Sequence, residues 1–159
     1  MIGEHSNVTI LIAEDDEGHA ELILEQLRNA GVSNEIARFR DGQELWDYLM
    51  AAGRRASQYD SNGFLLLLDI VMPGMDGLEV LRRIKTDKQW RNLPIIMLTT
   101  TDDPREIENC YTLGCNCYIT KPLEYARFTE MLKRLGLFLM IVQTPRIPPQ
   151  DGQGGGPLT

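Results

Sequence analysis

The chain has 159 residues, 43% hydrophobic and 25% charged, with a formal net charge of −7. That length suits one domain with a sizeable core, and the composition is ordinary for a globular fold. The acidic balance argues against general binding to nucleic acid or to an anionic membrane surface. No apolar run approaches the ~20 residues that a bilayer span requires, since the apolar stretch 135–142 is too short. No charged-then-apolar leader opens the sequence. The three cysteines, Cys110, Cys115 and Cys117, are odd in number and clustered, so a disulfide framework is not expected and a reducing cytoplasm is. A zinc site at Cys115-Asn116-Cys117 would want further ligands nearby, yet the histidines are His5 and His19. Small buried side chains are the expected reading there.

In chain order, Val8-Thr9-Ile10-Leu11-Ile12-Ala13 reads as a strand from its β-branched, continuously apolar character. It runs into Glu14-Asp15-Asp16-Glu17, four carboxylates in succession. Ala20, Ile23, Leu24, Leu27 and Ala30 then recur at helical spacing until Gly31. Residues 34–39 form a weaker strand, polar enough for a sheet edge. Asp41 is placed to cap a second helix with Leu45, Trp46, Leu49 and Met50 on one face. A polar loop is expected over 53–63. Phe64-Leu65-Leu66-Leu67-Leu68-Asp69 is an apolar strand ending in one aspartate. Such a strand is covered on both faces, as in a parallel sheet. Gly77 begins a third helix with Leu78, Leu81 and Ile84 inward. Residues 93–99 form a fourth strand, with Pro94 near its start. Pro104 suits the first position of a fourth helix, which Gly114 closes. Cys117-Tyr118-Ile119 is a short fifth strand, followed by Thr120-Lys121-Pro122. The last helix spans 124–139 with Phe128, Met131, Leu132 and Leu135 inward. From Pro145 to Thr159 the chain is Pro- and Gly-rich and expected to be mobile.

Five successive β-then-α units argue for a parallel sheet with helices on both faces. All strand ends then meet at the carboxyl edge, where open α/β sheets place ligands. Those ends deliver Glu14 and Asp15, Asp69, Thr99 and Lys121. Each has a bland reading by itself: residues 14–17 as a solvated acidic turn beside a helix N-terminus, Asp69 as a turn cap, Thr99 as a strand end and Lys121 as a surface lysine. Together they are three carboxylates, one hydroxyl and one ammonium. Three carboxylates in one crevice repel one another unless a cation sits between them. A hard divalent ion with oxygen ligands, Mg²⁺ above all, meets that need. A carboxylate oxygen beside such an ion can attack a phosphoryl group, with Lys121 and Thr99 holding the phosphoryl oxygens.

The conjunction resembles the receiver domains of two-component response regulators. The residues that carry the likeness are Ile10-Leu11-Ile12-Ala13-Glu14-Asp15-Asp16, Leu68-Asp69-Ile70-Val71-Met72-Pro73-Gly74-Met75-Asp76-Gly77, Thr99 and Tyr118-Ile119-Thr120-Lys121-Pro122, and it extends over about residues 8–139. The resemblance implies a flavodoxin-like α/β fold, a five-stranded parallel sheet of order 2-1-3-4-5 with helices on both faces. It implies that Asp69 is the phosphoacceptor, charged from the phosphohistidine of a sensor histidine kinase. Asp15 would bind Mg²⁺ directly, Glu14 through water, and the Val71 backbone carbonyl would add a ligand. Thr99 and Lys121 would contact the phosphoryl group, and Thr99 and Tyr118 would move inward with it as a switch. Asp16 lies one place past the usual acid pair and is taken as a bystander.

Residues 1–144 are expected to form the receiver domain, with 145–159 a flexible tail. A second globular domain is not expected after it, so the expected output is protein binding. The long loop 53–63, with Trp46 and Tyr48 in the second helix, resembles single-domain receivers that partner phytochrome-type sensor kinases. That likeness implies a homodimer through the fourth helix, the fifth strand and a C-terminal arm at 137–144. The competing readings are weaker. A phosphohydrolase of the haloacid dehalogenase type would want Asp-x-Asp, and Val71 stands two places past Asp69. A flavodoxin-like electron carrier would want a Ser/Thr/Gly-rich phosphate loop after the first strand, where four acids stand. A scaffold that takes no phosphate finds no missing charged residue to support it.

Overall fold

The computed structural model describes residues 8–56 and 63–150. The elements are β1 (Val8–Ala13), α1 (Glu17–Asn29), β2 (Ile36–Phe39), α2 (Gly42–Arg55), β3 (Gly63–Leu68), α3 (Gly77–Thr86), β4 (Ile95–Thr99), α4 (Pro104–Leu113), β5 (Cys117–Thr120) and α5 (Tyr125–Leu139). The five strands form one sheet of order β2-β1-β3-β4-β5, and every pairing between them is parallel. The flavodoxin-like order is therefore present. The strand order reverses between β1 and β3, and a crevice at their carboxyl ends follows from that reversal.

The alternation of side chains along each strand divides the core into two layers. Ile10, Ile12, Leu65 and Leu67 point to one face and pack under Ile23 and Leu27 of α1 and Phe128, Leu132 and Leu135 of α5. Leu11, Ala13, Leu66 and Leu68 point to the other and meet Leu45 of α2, Leu81 and Ile84 of α3 and Cys110 of α4. This two-sided burial is why Ile10–Ala13 of β1 and Phe64–Leu68 of β3 are apolar runs. β2, at an edge, buries only Phe39 fully.

The helices start where short acceptors stand. Asp16, Asp41, Asp76 and Asp103 each accept a backbone N–H from the first turn that follows. Asp16, expected to be a bystander, is thus the cap of α1, and that bond lowers its carboxyl below the usual range.

Two segments differ from expectation. α2 continues through Gly53 to Arg55, into the stretch read as loop, because Gly53 lies against the 89–90 segment. An added Cβ there would come within 2.2 Å of Gln89 Oε1. The remainder of that loop, 57–62, is outside the described residues. After α5 the chain crosses to the opposite layer. Arg146 bridges antiparallel to Gly63, Ile147 is buried against the α2–α3 layer, and Gln89 Nε2 donates to the Pro148 carbonyl at 2.7 Å. Arg146, Ile147 and Pro148, in the segment expected to be mobile, are therefore in contact with the body.

Candidate functional site

The site is assembled by strand register. β1 and β3 pair from Val8↔Gly63 to Ala13↔Leu68, so the residues that follow, Glu14 and Asp69, emerge side by side. The Asp69 N–H donates to the Ala13 carbonyl at 3.1 Å, carrying the ladder one step past the strand. β4 and β5 pair through Thr99↔Thr120, and the Lys121 N–H donates to the Thr99 carbonyl at 2.7 Å. Gly77, the first residue of α3, packs so closely on this edge that a Cβ would come within 2.1 Å of the Asp69 carbonyl oxygen.

Oxygens of Glu14, Asp15 and Asp69 lie within 4.8 Å of one another. Lys121 Nζ donates to Glu14 Oε1 at 2.5 Å, to Asp69 Oδ2 at 3.1 Å and to His19 Nδ1 at 3.1 Å. Glu14, Asp69 and Lys121 are buried, whereas Asp15 faces solvent. The second oxygen of Glu14 accepts the Asp16 N–H at 3.2 Å, and the Glu14 carbonyl accepts from Arg38 Nε and Nη2 at 3.0 and 2.8 Å. Burial raises the Glu14 carboxyl to about 7; the Lys121 charge and hydrogen bond oppose the rise, and the Asp69 charge adds to it.

Two neighbours complete the edge. Thr99 is fully buried, and its Oγ1 has no hydrogen-bond partner among the described residues. The Tyr118 hydroxyl donates to the Thr101 carbonyl at 2.7 Å, while the Tyr118 N–H donates to the Tyr111 hydroxyl at 3.0 Å. Burial, with the acidic groups of Cys110, Glu106, Asp102 and Asp69 adding, pushes the Tyr118 phenol up to about 12. Val71 follows Asp69 in the loop to α3 and is exposed.

The response regulator receiver domain model matches residues 10–133. The chain belongs to that family. Among solved structures, a response regulator receiver domain from Rhodospirillum rubrum is 44% identical, with a TM-score of 0.81, over 87% of this chain and 98% of that one. The Mn(2+)-bound form of response regulator Rcp1 is 28% identical, with a TM-score of 0.74, over 86% and 98% of the two chains. The phosphorylated cyanobacterial phytochrome response regulator RcpA is 33% identical, with a TM-score of 0.71, over 86% and 97%. The receiver is thus a signalling switch module with phytochrome-linked relatives. Among its described residues no helix is long and apolar enough to cross a membrane.

In this receiver, Glu14, Asp15, Asp69 and Lys121 share one pocket, as the strand-end argument requires. His19 also meets Lys121 and is not among the residues expected from the sequence. Its only signal is a histidine in the first helical turn after an acid pair.

Proposed function

We propose that the protein is a phosphorylatable switch in which Asp69 accepts a phosphoryl group from the phosphohistidine of a sensor histidine kinase. One observation carries the proposal. The Asp69 carboxylate stands within 4.8 Å of two further carboxylates and 3.1 Å from a buried ammonium, at the carboxyl edge of the sheet. In the transfer, an Asp69 oxygen attacks phosphorus, an O–P bond forms, and the donor's N–P bond breaks. The imidazole leaves and takes its proton from water. Lys121 Nζ, already aimed at Asp69, would hold a phosphoryl oxygen, and the unpartnered Thr99 hydroxyl would take another.

The donor set fits a hard divalent cation, Mg²⁺, because the ligand group that converges there among the described residues consists of carboxylate oxygens. Asp15 and Asp69 would hold it directly, with the Val71 carbonyl. Glu14 would act through water, since both its oxygens already accept hydrogen bonds. Bound there, the ion offsets the charge of the carboxylates and of the incoming phosphoryl group. Lys121 alone neutralises one of the three carboxylates, so the pocket has room for that added charge.

Tyr118 would report the modification: on phosphorylation it would give up the Thr101 carbonyl and turn inward with Thr99. Catalysis would be limited to the protein's own phosphorylation and its loss. The likeness to RcpA favours a phytochrome-type kinase as donor, with both proteins in the cytoplasm. A homodimer through α4, β5 and the arm 137–144 accords with the exposure of Tyr111, Leu137, Phe138 and Ile141 on those segments. We place the receiver domain at 1–144, with Arg146, Ile147 and Pro148 of the following segment packed onto it.

Incubation with acetyl phosphate and Mg²⁺, followed by intact mass measurement, tests the central step. One added phosphoryl group, absent in Asp69→Asn, is the expected result. No gain in the unaltered protein would overturn the phosphotransfer reading and leave a scaffold.

A further inference from the structure

Lys121 has three ammonium hydrogens, and each has an acceptor: Glu14 Oε1, Asp69 Oδ2 and His19 Nδ1. The two carboxylates belong to the pocket described above. His19 does not, since it comes from α1 and reaches the lysine from the side. An ammonium only donates, so Nδ1 must be the unprotonated ring nitrogen and Nε2 the N–H. The ring is also fixed in place. Its backbone N–H donates to Asp16 Oδ1 at 2.9 Å, and its edge meets Phe128 of α5 with centroids 5.6 Å apart at 86°. On its outer side lies a cavity of about 440 Å³, whose lining includes His19, Thr100, Pro122 and Phe128.

We propose that His19 is a positioning residue for the phosphoryl-transfer reaction, acting through Lys121. With Glu14 and His19 each holding one N–H, the third is aimed at Asp69 and at whatever oxygen is bonded there. Without the ring nitrogen, one hydrogen of an ammonium whose side chain is 1% exposed has no acceptor. The lysine then either stays buried with an unmade charged hydrogen bond or swings toward water. Both cost alignment at the phosphoryl oxygens. This inference rests on the phosphotransfer reading for its consequence but not for its geometry.

Two substitutions separate the acceptor from the ring. His19→Asn keeps an acceptor near Nδ1 and loses the contact with Phe128. His19→Phe keeps the aromatic edge and loses the acceptor. The rate of phosphorylation by acetyl phosphate in Mg²⁺ is expected to fall about tenfold in His19→Phe and to stay within about twofold of the unaltered protein in His19→Asn. Thermal unfolding of both variants confirms that folded protein is compared. Equal rates for His19→Phe and the unaltered protein, or a rate for His19→Asn as low as for His19→Phe, would overturn the inference while leaving phosphotransfer intact. Should the unaltered protein take no phosphate, the proposed function fails, and imidazole ¹⁵N spectra still decide the geometry. The Nε2–H tautomer of His19 is expected, and the Nδ1–H tautomer would refute the contact with Lys121.

Discussion

The Lys121 ammonium lies 2.5 Å from the Glu14 carboxylate, and their side chains are 1% and 2% exposed. Asp69 shares the same ammonium at 3.1 Å, so one buried cation serves two buried anions from different strands. Removing one partner of such a group is far more costly than the group itself is stabilising, because the remaining charge is left without compensation. Lys121→Met is therefore expected to lower stability by about 3–5 kcal/mol in metal-free buffer. Mg²⁺ is expected to recover more stability in that variant than in the unaltered protein, since the cation replaces the missing charge. Urea unfolding with and without Mg²⁺ checks both; equal stability of the two proteins without metal would show that the pair is not a structural linchpin.

Glu14 supplies a pH test. Burial raises its carboxyl to about 7, above the ordinary value, with Lys121 opposing and Asp69 reinforcing the rise. The sign for cation binding follows from competition. Below about 7 a proton occupies the group, and it must leave before Glu14 can contribute charge to a bound cation; above about 7 nothing need leave. Apparent Mg²⁺ affinity is thus expected to rise between about pH 6 and about pH 7 and to level off by about pH 8, by up to tenfold per unit for one proton. Calorimetric titrations in buffers of different ionisation enthalpy would show the released proton. In Glu14→Gln the slope should vanish, and a flat profile in the unaltered protein would refute the assignment.

Thr99 separates stability from function. Its hydroxyl is buried and lacks a partner among the described residues, so the fold bears its desolvation without a compensating bond. Thr99→Val keeps the shape and removes the hydroxyl. Stability is expected to be unchanged or to rise by up to about 1 kcal/mol, while the rate of phosphorylation falls about tenfold. Thermal unfolding paired with the mass assay reads both. A variant that loses stability instead would mean that the hydroxyl has a partner in solution, such as an ordered water.

The parallel sheet was legible because the ends of β1 and β3 are buried on both faces, and so Ile10–Ala13 and Phe64–Leu68 are unbroken apolar runs. The pocket was legible because parallel strands can deliver their last residues only to one edge, and those residues ionise. What was not legible depends on side chains meeting across the fold. The aromatic series Phe39–Tyr48–Phe64–Trp90, with centroids 5.1, 6.5 and 5.5 Å apart, links α2 to two strands and the 89–90 turn, and no periodicity along one element announces it. His19 belongs to the same class. Its spacing places it in a helix, and only the meeting of the first turn of α1 with the residue that follows β5 brings it to Lys121.

The segment after Thr144 offers the last test. Its composition argues for mobility, because prolines and glycines bury little surface, but one residue in it is different. Ile147 is buried in the α2–α3 layer, beside a backbone bridge from Arg146 to Gly63 and the bond from Gln89 to the Pro148 carbonyl. Gly63 permits the crossing, since a Cβ there would come within 2.0 Å of Thr144 Oγ1. Burying one isoleucine is worth about 2–3 kcal/mol. Truncation after Thr144, or Ile147→Asp alone, is expected to lower stability by about that amount and the unfolding midpoint by several degrees. Phosphorylation should be unaffected at temperatures where both proteins are folded, because Gly63 begins β3 and Asp69 follows its far end. Thermal unfolding beside the mass assay distinguishes the outcomes. Equal midpoints for full-length and truncated protein would put the boundary of the folded unit at Thr144, whereas the expected drop extends it to include Ile147.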